Sequence, residues 1–128
     1  ILDVINALPS DRFRVIPSMR FAYFSELMKR ASVIVGNSSL GVREAPFLGV
    51  PSLDVGTRQH NRAATESIVH AGAGDTDRIL AFLRDQWGRR FEASKDFGSG
   101  DAGERFAEIL ADDEFWSRSR QKMFHDLG

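Results

Sequence analysis

Cysteine is absent from the 128 residues, which excludes disulfides, thiolate nucleophiles and thiolate metal ligands. That absence fits a reducing compartment. An excess of charge of either sign is absent too. Lys and Arg number 17 against 18 Asp and Glu, so the net charge is −1 and the pI is near 6.3. This balance lacks the basic surface that nucleic acid or an anionic membrane would require. No apolar run approaches the roughly 20 residues that span a bilayer. Internal repeats, low-complexity tracts and linkers are missing from residues 1–111. The three histidines, His60, His70 and His125, have no metal-ligand spacing. No metal and no other cofactor is expected, and a surface or packing role is expected of each histidine.

What is present is ordinary for a globular domain: 42% apolar and 27% charged residues in a length that fits one core and not two. The chain opens on Ile1 inside an apolar pattern, Ile1-Leu2-x-Val4-Ile5-x-x-Leu8, so it is expected to be cut from something longer.

Those first eight residues carry one apolar helical face, which Pro9-Ser10-Asp11 ends. Residues 12–16 alternate and then turn fully apolar, which predicts a short strand before the Pro17-Ser18 turn. Apolar residues at 21, 24, 27 and 28 predict a helix over 21–30. The run Ser32-Val33-Ile34-Val35-Gly36 shows no alternation, as in a strand covered on both faces. A short helix up to Gly49, a strand over 50–55 and a short strand over 67–70 follow. A helix over 75–87 has Asp75 or Thr76 as its cap. Residues 102–110 predict another helix, and residues 112–127 a final amphipathic one bearing Phe115, Trp116, Met123, Phe124 and Leu127. Strands alternating with helices predict an α/β fold, a Rossmann-like parallel sheet with helices on both faces.

Ligands of such sheets bind at the carboxyl ends of the strands. Two loops are expected there. The first, Gly36-Asn37-Ser38-Ser39-Leu40-Gly41-Val42-Arg43-Glu44, leads from a strand into a helix. Small residues let a ligand approach the backbone, and unpaired N–H groups of the first helical turn suit a diphosphate. Ser38 and Ser39 add hydroxyl donors. Glu44 shares a helix face with the loop mouth, where a carboxylate can accept two hydrogen bonds from a vicinal diol such as that of ribose. The plainer alternative is that Asn-Ser-Ser is only a helix N-cap. Pro46 complicates this helix, which must either start near Val42 or be short and bent. The second loop, Gly56-Thr57-Arg58-Gln59-His60-Asn61-Arg62, offers Arg58, whose guanidinium matches phosphate oxygens. Its alternative is a solvated polar loop.

With these residues in view, the chain resembles the UDP-N-acetylglucosamine 2-epimerases, in their hydrolysing, sialic-acid-pathway branch. The likeness is carried by Pro17-Ser18-Met19-Arg20-Phe21-x-Tyr23-Phe24, by Gly36-Asn37-Ser38-Ser39-x-Gly41-Val42-Arg43-Glu44-Ala45-Pro46, by Gly49-x-Pro51 and by Gly56-Thr57-Arg58-Gln59-x-x-Arg62. The non-hydrolysing branch has Asp-Ser-Gly-Gly and Thr-Glu-Arg where this chain has Asn37-Ser38-Ser39-Leu40 and Gly56-Thr57-Arg58-Gln59. Phe97-Gly98-Ser99-Gly100-x-Ala102-x-x-Arg105 is similar to the family's Gly-Asp-Gly-x-Ala loop, with Ser99 in place of Asp. The likeness covers about residues 15–110.

The resemblance implies the C-terminal half of a glycosyltransferase-B type two-domain architecture. Residues 1–111 would be the UDP-binding domain, and residues 112–128 a helix packing on the core or on the missing N-terminal domain. UDP would be held by Asn37, Ser38 and Ser39 at the diphosphate loop, Glu44 at the ribose, Arg58 at the phosphate and Met19 at the uracil. The implied reaction removes UDP from UDP-N-acetylglucosamine across C1–C2 and hydrates the glycal to N-acetylmannosamine. The family's acid and base residues lie chiefly in the other half, so no catalytic residue is assigned here and the isolated chain is expected to be inactive. The expected partners are a UDP-sugar and the missing domain, in the cytoplasm, with self-association through the apolar tail. Two alternatives stand beside this reading: the donor-binding half of a nucleotide-sugar glycosyltransferase, and a non-enzymatic nucleotide-binding module.

Overall fold

The computed structural model describes residues 2–63 and 65–121. The chain forms two compact units, Ile1–Ser94 and Lys95–Gly128. In the first unit, α1 (Leu2–Asn6) and α2 (Phe21–Arg30) precede β1 (Ile34–Gly36), α3 (Leu40–Phe47), β2 (Ser52–Val55), β3 (Ile68–Ala71) and α4 (Thr76–Gln86). The second unit holds α5 (Ala102–Ala111) and α6 (Asp113–Ser117).

The three strands form one parallel sheet in the order β1-β2-β3. Leu53 sits between Val35 and Val69, and Asp54 between Gly36 and His70. Successive side chains of a strand point to opposite faces, and the two faces of this sheet differ in character. One face carries the apolar core, Leu53 and Ala71 against Phe82 of α4, with Val33, Val55, Val69, Ile79 and Leu83 packed around it. On the other face the Ser52 hydroxyl donates to the Gly41 carbonyl, which seats α3 directly on β2. Helices therefore cover both faces. Asp75 caps α4 by accepting from the Arg78 N–H at 3.1 Å, as its position before the apolar period implies.

The predicted strand at 12–16 does not form. A strand exists through its ladder of hydrogen bonds. Here the Arg12 and Phe13 N–H groups instead donate to the Pro9 carbonyl, at 3.1 and 3.0 Å, and Val15 and Ile16 stay exposed. The predicted helix over 112–127 is also interrupted. α6 ends at Ser117, and Arg118 is extended. Met123, Phe124 and Leu127 lie outside the described residues. In this unit the Trp116 indole N–H donates to the Leu110 carbonyl at 2.8 Å, and its ring meets Phe115 edge-on. Phe106, Ile109, Phe115 and Trp116 remain exposed.

Pro46 falls in the last turn of an eight-residue α3, where it removes the bond its N–H would have made to the Val42 carbonyl, and the helix ends one residue later. The chain then reverses at Gly49, whose φ of +65° is left-handed. The segment after α4 closes beneath that reversal. The Phe91 N–H donates to the Gly49 carbonyl and the Ser94 N–H to the Pro46 carbonyl, both at 3.0 Å. A Cβ on Gly49 would stand 2.3 Å from the Phe91 carbonyl oxygen. Gly49→Ala is therefore expected to destabilise the chain by well over ~1 kcal/mol in chemical denaturation. A loss below about 0.5 kcal/mol, the range of ordinary surface substitutions, would show that the reversal is not constrained in this way.

Candidate functional site

The connection from β1 to β2 is short, so α3 begins directly above the carboxyl end of β1. Its first turn is tight: the Gly41 N–H donates to the Ser38 carbonyl, and the Val42 and Arg43 N–H groups donate to the Ser39 carbonyl, at 2.9–3.1 Å. Among the described residues the backbone N–H groups of Ser38 and Ser39 have no acceptor. The Leu40 N–H has only a long 3.4 Å contact with the Ser38 hydroxyl. Ser39 occupies the N-cap position, yet its side chain makes no capping bond. The loop thus presents free N–H groups and the free Ser39 hydroxyl at the positive end of a helix, the usual conditions for holding an anion. A plain N-cap would have used the Ser39 oxygen.

One turn further, the Glu44 side chain is partly covered, and its Oε2 is buried with no partner among the described residues. A buried carboxylate oxygen without a donor is unfavourable.

The loop after β2 folds onto the first. Gly56 takes φ +98°, and two turns follow, the His60 N–H donating to the Thr57 carbonyl and the Arg62 N–H to the Gln59 carbonyl. Within them Gln59 points inward. It is only 1% exposed, and its Nε2 donates to the Asn37 carbonyl at 2.9 Å. Arg58, next to it, is exposed and makes no hydrogen bond or ion pair among the described residues. The structure thus brings the basic loop against the small-residue loop. Met19 is half-buried in the extended segment before α2 and makes no hydrogen bond to either loop among the described residues. Asn37 contributes its backbone carbonyl, and its side chain is exposed.

Sequence reasoning missed Gln59 as a buried residue. It also missed a pair on the α3 face of the sheet. Asp54, its side chain 1% exposed, lies 2.9 Å from Nδ1 of His70, which is 34% exposed. The two are neighbours in register across β2 and β3. A carboxylate inside an otherwise apolar strand was the available signal, because buried charge is rare without a partner. His70 also meets His60 edge-on at 5.5 Å and lines an open cavity of about 590 Å³ with Asn61, Arg62, Ala63, Thr65 and Ile68. His60 and His70 therefore have packing partners, and His125 lies outside the described residues. Among the described residues no three His, Cys, Asp or Glu side chains cluster in a way that could hold a metal. No helix among them is long and apolar enough to cross a membrane.

The family profile described as UDP-N-acetylglucosamine 2-epimerase matches residues 1–111. The chain belongs to this family. It is 46% identical to the UDP-N-acetylglucosamine 2-epimerase of Neisseria meningitidis serogroup B, over 99% of this chain and 34% of that protein. It is 37% identical over 47% of its length to the GDP/UDP-N,N′-diacetylbacillosamine 2-epimerase (hydrolyzing) of Campylobacter jejuni, covering 16% of that protein. A Legionella pneumophila UDP-N,N′-diacetylbacillosamine 2-epimerase (hydrolyzing) is 28% identical over 76% of the chain and 26% of that protein. The chain spans about a third or less of the length of these curated relatives.

The remaining segment that resembles an epimerase motif, residues 97–105, lies in the second unit and is satisfied within itself. The Ser99 hydroxyl donates to Asp101 Oδ1, and the Arg105 Nε donates to Asp101 Oδ2 at 2.7 Å, at the start of α5. The Ser99 hydroxyl, then a backbone N–H and Arg105, hold the Asp101 carboxyl below its ordinary range. Because the folded value is depressed, the stabilisation is present above the ordinary carboxylate value and is lost as pH falls through the depressed one. The Asp101 carboxyl is expected to titrate below an unperturbed aspartate by carbon-detected NMR, and Ser99→Ala to move it upward. A midpoint unaffected by Ser99→Ala would show that the serine hydroxyl is not its main partner.

Proposed function

We propose that this chain is the UDP-binding, C-terminal half of a hydrolysing UDP-N-acetylglucosamine 2-epimerase of glycosyltransferase-B architecture, working in the cytoplasm on the route to sialic acid. The observation that carries the reading is the pairing of two loops at the carboxyl edge of the sheet. One offers the unpaired N–H groups of Ser38 and Ser39, and the other the unpaired guanidinium of Arg58, with Gln59 fastening them together. The diphosphate lies against Asn37, Ser38, Ser39 and Arg58, the ribose diol satisfies Glu44, and Met19 borders the uracil. Family membership favours an epimerase over a glycosyltransferase or a binding module, and the hydrolysing relatives favour that branch. The absence of cysteine fits the compartment.

In this reaction a base removes the proton from C2 of the sugar while the C1–O bond breaks and UDP leaves, giving a glycal. Water then adds, its oxygen to C1 and a proton to C2, to give N-acetylmannosamine. The residues of this chain serve the departure. Donors and a cation fixed around the diphosphate stabilise the negative charge that grows on the leaving group, without rearrangement at the moment of reaction. The proton-transferring groups belong to the other half, so the chain alone is inactive. The domain is residues 1–111, and the exposed apolar side chains Phe115 and Trp116 after it pack on that other half. Without it they drive self-association.

Two measurements test the reading. The isolated chain should bind UDP in preference to ADP, with amide shifts at residues 36–44 and at Arg58. Arg58→Ala should weaken binding roughly 10- to 100-fold, the scale of a charge-assisted hydrogen bond. The full-length protein carrying this chain should release UDP from UDP-N-acetylglucosamine with no acceptor present. Equal binding of ADP, or UDP release only when an acceptor sugar is added, would refute the proposal.

A further inference from the structure

Gln59 is an unusual residue for a polar loop. Its side chain is withdrawn from solvent as completely as the core residue Leu53, each 1% exposed. Its Nε2 spans 22 positions to reach the Asn37 carbonyl, while its Oε1 is buried with no partner among the described residues. A lone cross-loop hydrogen bond with a buried, unsatisfied acceptor is a poor device for stability alone, since the unmet oxygen offsets much of what the amide donor contributes. It is an effective device for registration. Arg58 precedes Gln59 directly, and Ser38 follows Asn37 directly. Fixing the one pair fixes the spacing of the cation from the free N–H groups. The rest of the loop supports the same restraint. Asn61 takes a left-handed φ of +59°, and Gly56 bends the chain at φ +98° where a Cβ would meet nothing. The bend at Gly56 is therefore set by backbone direction rather than by crowding.

We infer that Gln59 is a positioning residue that makes the two strand-end loops a single binding element for a nucleoside diphosphate. It touches no ligand. It holds the Arg58 guanidinium at a fixed separation from the Ser38 and Ser39 amides, so that a diphosphate meets both at once instead of recruiting a mobile arginine after binding. The ligand class rests on the nucleotide reading given above, whereas the coupling of the loops rests on the Gln59–Asn37 bond alone. Two consequences separate positioning from simple stabilisation. Substitutions at 58 and 59 are non-additive for binding, because once the loops are uncoupled the arginine contributes less. Uncoupling at 59 also loosens residues 36–40, more than 18 positions away in sequence.

The test uses the whole chain and its Gln59→Met and Gln59→Glu variants. Met fills the same volume without a donor, and Glu keeps the shape but replaces the donating amide with an acceptor. Uridine diphosphate affinity is followed by amide shifts in the parent chain, each variant, Arg58→Ala and the Arg58→Ala/Gln59→Met double variant. Backbone 15N order parameters of residues 36–40 are measured without ligand. The expected result is a three- to tenfold loss of affinity for each Gln59 variant, a double variant no more than twofold weaker than Arg58→Ala, and lowered order parameters at residues 36–40 while those of β2 and α4 are unchanged. Additive losses, or affinity and order parameters equal to the parent chain, overturn the inference. If the parent chain binds no uridine diphosphate, the nucleotide reading fails, and the relaxation arm still decides whether Gln59 couples the loops. Should Gln59→Met prove unfolded, Gln59→Glu decides alone.

Discussion

Two parallel strands lying side by side can be joined only by a segment that crosses back over the sheet. In this chain that constraint acts on a very short connection, residues 37–51, which holds only α3 and its turns. The helix must therefore start at the carboxyl end of β1 and finish at the amino end of β2. This places its N-terminal amides at the edge of the sheet where the next loop also emerges. Seating the helix so close to the strand requires small groups at the contact, and these are the Gly41 carbonyl and the Ser52 hydroxyl. The return is completed by Gly49, whose left-handed backbone no ordinary side chain could replace beside the Phe91 carbonyl. The position of the loop between β1 and α3 is thus a consequence of the crossover.

The two faces of the sheet divide the work. The α4 face is apolar and supplies cohesion through Leu53, Phe82 and their neighbours. The α3 face holds Ser52, Asp54 and His70, where Asp54 Oδ1 has no partner although Oδ2 meets His70. Glu44 Oε2 on α3, Gln59 Oε1 in the loop after β2 and Gln86 Oε1 at the end of α4 are likewise buried without partners among the described residues. Such groups cost stability where they stand. Membership of the UDP-N-acetylglucosamine 2-epimerase family and the pairing of the two strand-end loops are what support the proposed uridine diphosphate site.

Much of this was legible in the residues. The unalternating β-branched run at 32–36 foretold a parallel strand but not its place: β1 is an edge strand with Val35 49% exposed rather than covered on both faces, while the period of apolar positions foretold α2 and α4. Small residues between β1 and α3 foretold the loop that joins them. What was not legible depended on partners distant in sequence. The alternation at residues 12–16 is strand-like in pattern, but a pattern supplies no neighbouring strand to complete a ladder. Residues 112–117 have the amphipathic spacing of a longer helix, yet the turn at Arg118 breaks it. Gln59 sits among Arg58, His60, Asn61 and Arg62, and nothing in that polar run says that one member points inward. Asp54 and His70 meet only because β2 and β3 are in register, a fact no local window contains.

The most direct test of the central claim is a crystal structure of the chain, or of the full-length protein containing it, with uridine diphosphate bound. The account predicts diphosphate oxygens within hydrogen-bonding distance of the Ser38 and Ser39 amides and of the Arg58 guanidinium, with the ribose hydroxyls on Glu44. A diphosphate seated elsewhere, with those amides still unpaired and Arg58 still in solvent, would contradict it.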